Sequence, residues 1–244
     1  MSPSPGSTGS RAAGRPAYRQ ERGRTGLPLL PLSIGGLAVG LLIVAALVLA
    51  GNAPGGADLA TPGASYPAEN ADRSLGARDA PVTIAEWADF QCPACGEYAE
   101  TLAPRLIETY VKPGKVRLVF HNFAFLGAES TNAATAAVCA GQQGRFWPYH
   151  AYLFANQAGE NSGAFRTERL RDIAAATGLD IDAFDSCLSG PAARSQVIAE
   201  TSEAQQAGID RTPTIVVGNQ PAFQGVPSWE QFQAVIEAEL AASS

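Results

Sequence analysis

Past residue 80 the apolar positions fall into periods that name the elements. Val82-Thr83-Ile84-Ala85-Glu86-Trp87-Ala88-Asp89-Phe90 is β-branched and aromatic and reads as a strand. Tyr98, Leu102, Leu106 and Tyr110 then recur every fourth residue, the stripe of an amphipathic helix that Pro104 should kink or split. Lys112-Pro113-Gly114-Lys115 is a turn, and Val116–His121 alternates as a second strand. A helical block follows. Ser130 caps a helix through Val138 and Cys139 that ends near Gly144, and Phe146–Asn156 forms the next. Thr167 and Gly178 bracket a third, Asp182–Leu188 is a short fourth, and Ala192–Gln206 ends at Gly208. Thr214–Val217 is a short buried strand, Gly218-Asn219 a hairpin turn and Gln220–Phe223 its partner. Ser228 caps a last helix carrying Phe232, Val235, Ile236 and Leu240. The order is strand, helix, strand, helical block, strand, strand, helix: an α/β domain over 80–242 with a helical insertion at about 130–208.

The first third of the chain is organised differently. Residues 1–26 are rich in Ser, Gly, Pro and Arg, with almost nothing apolar, and are expected to be a disordered tail. Leu27–Ala50 contains no charged residue, and a helix of that length reaches roughly 36 Å, enough to cross a bilayer. Pro28 and Pro31 put the firm start of such a helix near Leu32. Arg11, Arg15, Arg19, Arg22 and Arg24 precede the span and acidic residues follow it, which places the N-terminus in the cytoplasm and the domain outside. Val48-Leu49-Ala50 would also pass as a cleavage site, so an exported domain is expected whether this single-pass anchor is retained or removed. Residues 51–79 read as a flexible tether. The tail takes five of the 17 basic and one of the 23 acidic residues, so the rest carries a net charge of −10, which argues against nucleic acid as a partner.

Chemistry concentrates at Cys92-Pro93-Ala94-Cys95, where the first strand meets the first helix. Pro93 suits the first helical turn, where a missing N–H costs nothing. Cys92 then takes an N-cap-like position, facing unpaired N–H groups and the positive end of the helix dipole. Both favour the thiolate, which makes Cys92 the nucleophile and Cys95 the more buried resolving partner. A zinc site would need a second cysteine or histidine pair at ligand spacing, and Cys139 and Cys187 stand apart. No metal or organic cofactor is expected; the redox group is the Cys92–Cys95 pair. With four cysteines, an oxidising compartment allows two disulfides. Glu86 shares a strand face with Val82, Ile84, Ala88 and Phe90, where a carboxylate is out of place. Desolvation should raise its pKa, so that it could relay the Cys95 proton. His121 and His150 read as framework residues.

Glu86-Trp87-Ala88-Asp89-Phe90-Gln91-Cys92-Pro93-Ala94-Cys95, Phe146-Trp147-Pro148-Tyr149-His150 and Thr212-Pro213-Thr214 together resemble the DsbA-like disulfide oxidoreductases, in particular the membrane-anchored BdbD type. The resemblance covers roughly residues 76–242 and implies a thioredoxin-like fold with an inserted α-helical domain. It implies a cis-proline loop at Thr212-Pro213 beside the cysteines, with Thr212, Pro93 and Ala94 meeting the substrate. It also implies a structural bridge between Cys139 and Cys187 in the insertion. The acid six residues before the first cysteine matches Glu86. The family places a histidine before the second cysteine in its strongest oxidant; here that residue is Ala94, so a milder oxidant is expected. The implied activity is disulfide formation in unfolded exported proteins, with reoxidation by a quinone-linked membrane protein of the DsbB or VKOR type. The same site kept reduced would serve a reductase or isomerase, and the same groove a peptide-binding chaperone. With no dimerisation domain ahead of the core, a monomer is expected.

Overall fold

A five-stranded sheet in the order β1-β3-β2-β4-β5 carries the domain, and β2 (Val82–Ala88) lies at its centre. The computed structural model describes residues 59–66 and 73–243; the basic tail, the apolar span and the rest of the predicted tether lie outside them. Among the described residues no helix is long and apolar enough to cross a membrane.

The alternation seen in the sequence sets the two faces of the sheet. On β2, Val82, Ile84, Glu86 and Ala88 are buried, and on β3 (Val116–Asn122) Val116, Leu118, Phe120 and Asn122 are. The two strands run parallel, pairing Val82 with Val116 and Ala88 with Asn122. On the other side β4 (Thr214–Val217) runs antiparallel to β2, pairing Trp87 with Thr214 and Glu86 with Ile215. That register carries the Thr212–Pro213 segment to the end of β2 where the cysteines begin. β5 (Phe223–Gln224) and β1 (Ser74–Leu75) close the two edges.

The connection from β2 to β3 is helical throughout. α1 (Pro93–Glu97) runs into a π-helical turn (Tyr98–Leu102), then α2 (Ala103–Leu106) and a second π-helical stretch (Ile107–Val111). Pro104 lacks the N–H that an α-helix would use, and the widened turn before it lets Ala103 reach back to the Tyr98 carbonyl. The predicted interruption is thus a change of helix type. After β3 come α3 (Ala128–Gln142), α4 (Phe146–Ala155), α5 (Thr167–Ala176), α6 (Ile181–Ser189) and α7 (Pro191–Gln206). α8 (Trp229–Ala242) follows the sheet and starts with a full capping box between Ser228 and Gln231.

Three expectations need correction. The domain begins before Ala80: β1 pairs with β3, and Tyr66 stacks on Trp147 at 5.5 Å while Ala60 and Asn156 exchange two 2.9 Å hydrogen bonds. A two-residue strand is too short to show a period, which hid it. Ser130 does not cap α3, because its hydroxyl donates to Asp89; the cap is Gly127, whose φ of 110° disfavours a side chain. The last hairpin pairs through Phe223–Gln224, where Gln220–Phe223 is predicted. Pro221 has no N–H for a ladder, and Asn219 and Gln220 bind Glu239 instead.

Cys139 of α3 and Cys187 of α6 are bonded, with Cα atoms 5.8 Å apart and a sequence separation of 48. A loop of that length confers on the order of 4 kcal/mol by constraining the unfolded chain. Replacing both cysteines by alanine is expected to lower the unfolding free energy by up to about that amount in denaturant titrations. Its thiol-exchange rate below the melting range should stay at the parent value.

Candidate active site

β2 ends at Ala88, and the chain makes one tight turn before α1. The Cys92 N–H bonds the Asp89 carbonyl at 3.0 Å, and Cys92 itself is extended (φ −75°, ψ 119°), the conformation of an N-cap, with Pro93 next. Its carbonyl accepts from the Cys95 and Gly96 N–H groups at 3.1 and 3.2 Å. Gln157, from the insertion, donates to the Cys92 carbonyl at 3.0 Å and to that of Phe90 at 2.7 Å.

Both cysteines are free thiols, Cys92 7% exposed and Cys95 fully buried. The Cys92 sulfur closes no capping hydrogen bond of ordinary length, yet its pKa is lowered to about 6. The Cys95 thiol donating to it is the largest cause; burial opposes, and the Thr212 side chain and the Cys95 and Ala94 backbones add to the lowering. Cys95 is pushed the other way, first by burial and then by the Cys92 sulfur beside it. Two chemically identical groups are thereby split into a thiolate and a thiol.

The remaining predicted residues surround this pair. The Thr212–Pro213 bond is cis, the Thr212 carbonyl lies 3.4 Å from the Cys92 sulfur, and Pro213 is buried with its carbonyl bound by the Gly225 N–H at 2.7 Å. Pro93 is exposed and Ala94 half-buried at the rim. Glu86 is 1% exposed, its Oε1 has no hydrogen-bond partner, and burial raises its pKa to about 8. Burial raises Cys95, Tyr66 and Tyr98 as well, and a Glu86 charge would add to all three. Cys139 and Cys187 lie on α3 and α6, outside the catalytic turn. His150 sits among Phe90, Phe120, Phe146, Trp147 and Phe154 with neither ring nitrogen bonded, and burial holds its pKa near 3. His121 stacks on Trp87 at 4.7 Å. Among the described residues no three His, Cys, Asp or Glu side chains converge as metal ligands.

Residues 68–238 match the family model for thioredoxin. Disulfide bond formation protein D of Bacillus subtilis is 30% identical over 169 residues, 68% of this chain and 76% of that one. The probable disulfide bond formation protein D of Bacillus anthracis is 30% identical over 177 residues, 71% of this chain and 80% of that one. The chain belongs to the DsbA-like thiol:disulfide oxidoreductases. The crystal structure of oxidised BdbD from Bacillus subtilis matches with a TM-score of 0.65 at 26% identity, over 76% of this chain and the whole of that one. The DsbA-like family thus accounts for the insertion between β3 and β4 as well as for the sheet.

Several site residues had no reading of their own in the sequence. Asp89 and Gln91 stand inside the motif, and an Asp two residues before a turn N–H is a recognisable Asx signal. Tyr66, which bonds the Ala99 carbonyl at 2.5 Å, and Gln157 come from segments with no period or motif.

Glu86 gives the domain a pH signature. Its folded pKa of about 8 lies above the unfolded value near 4.5, so the folded state holds an extra proton between those values. The Glu86 contribution to stability must then fall as pH rises from 4.5 to 8, by at most about 1.4 kcal/mol per pH unit, and level off above. Glu86→Gln removes this slope: its stability relative to the parent should rise across that window in denaturant titrations. Parallel curves for the two proteins would show that Glu86 is ionised when folded.

Proposed function

We propose that this oxidoreductase acts outside the cytoplasm as an oxidant, introducing disulfides into reduced exported proteins. The observation that carries the reading is the split between the sulfurs, Cys92 held as a thiolate and Cys95 as a buried thiol. A thiolate-stabilised dithiol is the better product, so the disulfide form gains oxidising power.

In the forward reaction a substrate thiolate attacks the Cys92 sulfur of the Cys92–Cys95 disulfide. That S–S bond breaks, a substrate–Cys92 bond forms, and Cys95 leaves and takes up a proton. The buried Glu86 would supply it, since it holds a proton up to about pH 8. A second substrate thiolate attacks the substrate sulfur of the mixed disulfide, and Cys92 departs as a low-pKa leaving group. Two electrons pass from substrate to enzyme. The rim made by Thr212, Pro93 and Ala94 receives the extended substrate chain beside Cys92, with Pro213 buried behind it. A membrane protein of the DsbB or VKOR type would take the electrons on to quinone. Retention of residues 27–50 as a single-pass anchor, with residues 51–79 as a tether, would keep a monomeric domain near that partner.

Two variants and one equilibrium test the chemistry. Cys95→Ser should accumulate mixed disulfides through Cys92, whereas Cys92→Ser should be inactive and trap almost nothing. Equilibration with glutathione should give a potential between about −270 and −120 mV, thioredoxin's and the strong oxidant's. A value at or below thioredoxin's, with the pair reduced in cells, would make the protein a reductase.

Protease added to spheroplasts tests the placement. It should remove the domain and leave a short membrane-bound stub. Spontaneous release of a domain starting near Gly51 would show a cleaved leader instead.

A further inference from the structure

The Asp89 carboxylate is 1% exposed, and among the described residues no cation is paired with it. A buried carboxylate without a counter-ion persists only where enough donors replace its water. Asp89 has four, arriving from two directions. Oδ1 accepts from the Gln91 N–H at 2.8 Å, inside the turn that leads to Cys92, and from the Ser130 hydroxyl at 2.6 Å in the first turn of α3. Oδ2 accepts from the Phe125 and Leu126 N–H groups at 2.9 and 3.0 Å, in the loop between β3 and α3. Gln91 reinforces the same bridge, donating to the Leu126 carbonyl and to Ser130 while its Oε1 accepts from the Asn161 N–H.

The backbone of the same residue engages the redox turn. Its carbonyl takes the Cys92 N–H at 3.0 Å. The carboxylate and carbonyl of Asp89 therefore bear on the turn that carries Cys92 and on the loop that flanks it. That loop carries Phe125, one of two large apolar side chains left exposed among the described residues, stacked on buried Phe123 at 4.6 Å.

We propose that Asp89 is a positioning residue of the exchange reaction. Its carboxylate clamps the Cys92 turn against the Phe125 loop and so fixes the Cys92 sulfur over the start of α1. The proposal rests on Cys92 being the nucleophile. A charge so close would, acting alone, disfavour the Cys92 thiolate; a clamp favours it by holding the donors in line. The two roles have opposite signs.

The experiment compares the parent with Asp89→Asn and Ser130→Ala. The Cys92 titration is followed by thiolate absorbance and assigned to Cys92 by alkylation and mass spectrometry, with thermal unfolding measured alongside. Asparagine replaces one accepting oxygen by a donor, so the clamp opens on one side. Asp89→Asn should raise the Cys92 pKa by about one unit, toward the free value of about 8.5. Well below both values that is about a tenfold loss of thiolate. Ser130→Ala, which keeps the carboxylate, should shift it in the same direction by a few tenths of a unit, and decides the matter should Asp89→Asn fail to fold. A fall in the Cys92 pKa of Asp89→Asn would make Asp89 a charge and overturn the clamp. Lower melting temperatures with unshifted titrations would make it merely structural and overturn it too. A parent whose Cys92 titrates near the free value would instead sink the nucleophile reading itself.

Discussion

A helix that starts on a cysteine leaves the N–H groups of its first turn short of acceptors, and the chemistry of this domain depends on that shortage. The Cys92 sulfur and carbonyl stand at that end of α1. The parallel pairing of β2 with β3 and the antiparallel pairing with β4 fix where β2 ends, and so where α1 begins. Thr212 reaches the same point because Thr214 is paired with Trp87, five residues before Cys92. Sheet register is therefore a condition of the sulfur's reactivity.

Burial alone would protonate all three acidic groups at the centre. It raises Glu86 and Cys95 and opposes the lowering of Cys92. What separates them is the supply of donors. Glu86 has an orphan oxygen, and the Cys95 thiol keeps its proton while donating a hydrogen bond to Cys92; Cys92 alone collects donors enough to reverse the sign. An unpartnered carboxylate inside an apolar face destabilises the fold above its pKa. A proton held there is the one that the proposed exchange calls for at Cys95 once per turnover.

Most of this was legible in the chain because it rests on local signals. The alternation of Val82, Ile84, Glu86 and Ala88 placed the carboxylate on the buried face, and Pro93 after Cys92 marked the helix start. The cis bond at Pro213 was carried by family resemblance, since nothing in Thr212-Pro213-Thr214 by itself separates it from an ordinary strand-start proline. What stayed hidden is non-local. Ser130 looks like a cap until Asp89, 41 residues away, claims its hydroxyl. Tyr66 belongs to a Gly- and Pro-rich stretch, and only the Trp147 ring and the Ala99 carbonyl explain its place. Hydrogen bonds across such separations leave no period in a sequence.

The helical insertion has a part in the site that its position in the chain does not suggest. A sheet with α1 and the Thr212–Pro213 loop would suffice to place the two sulfurs. It would leave the Phe90 and Cys92 carbonyls without the side-chain donor that joins them across the turn. Gln157, at the end of α4, binds both with one side-chain nitrogen, and Asn161 closes on Gln91. Gly96 makes room for this: a Cβ there would come within 2.4 Å of the Gln157 side-chain oxygen. The glycine after Cys95 is thus one place where insertion and redox helix touch. A larger residue would push Gln157 off the carbonyls that shape the nucleophile's turn, without touching either cysteine.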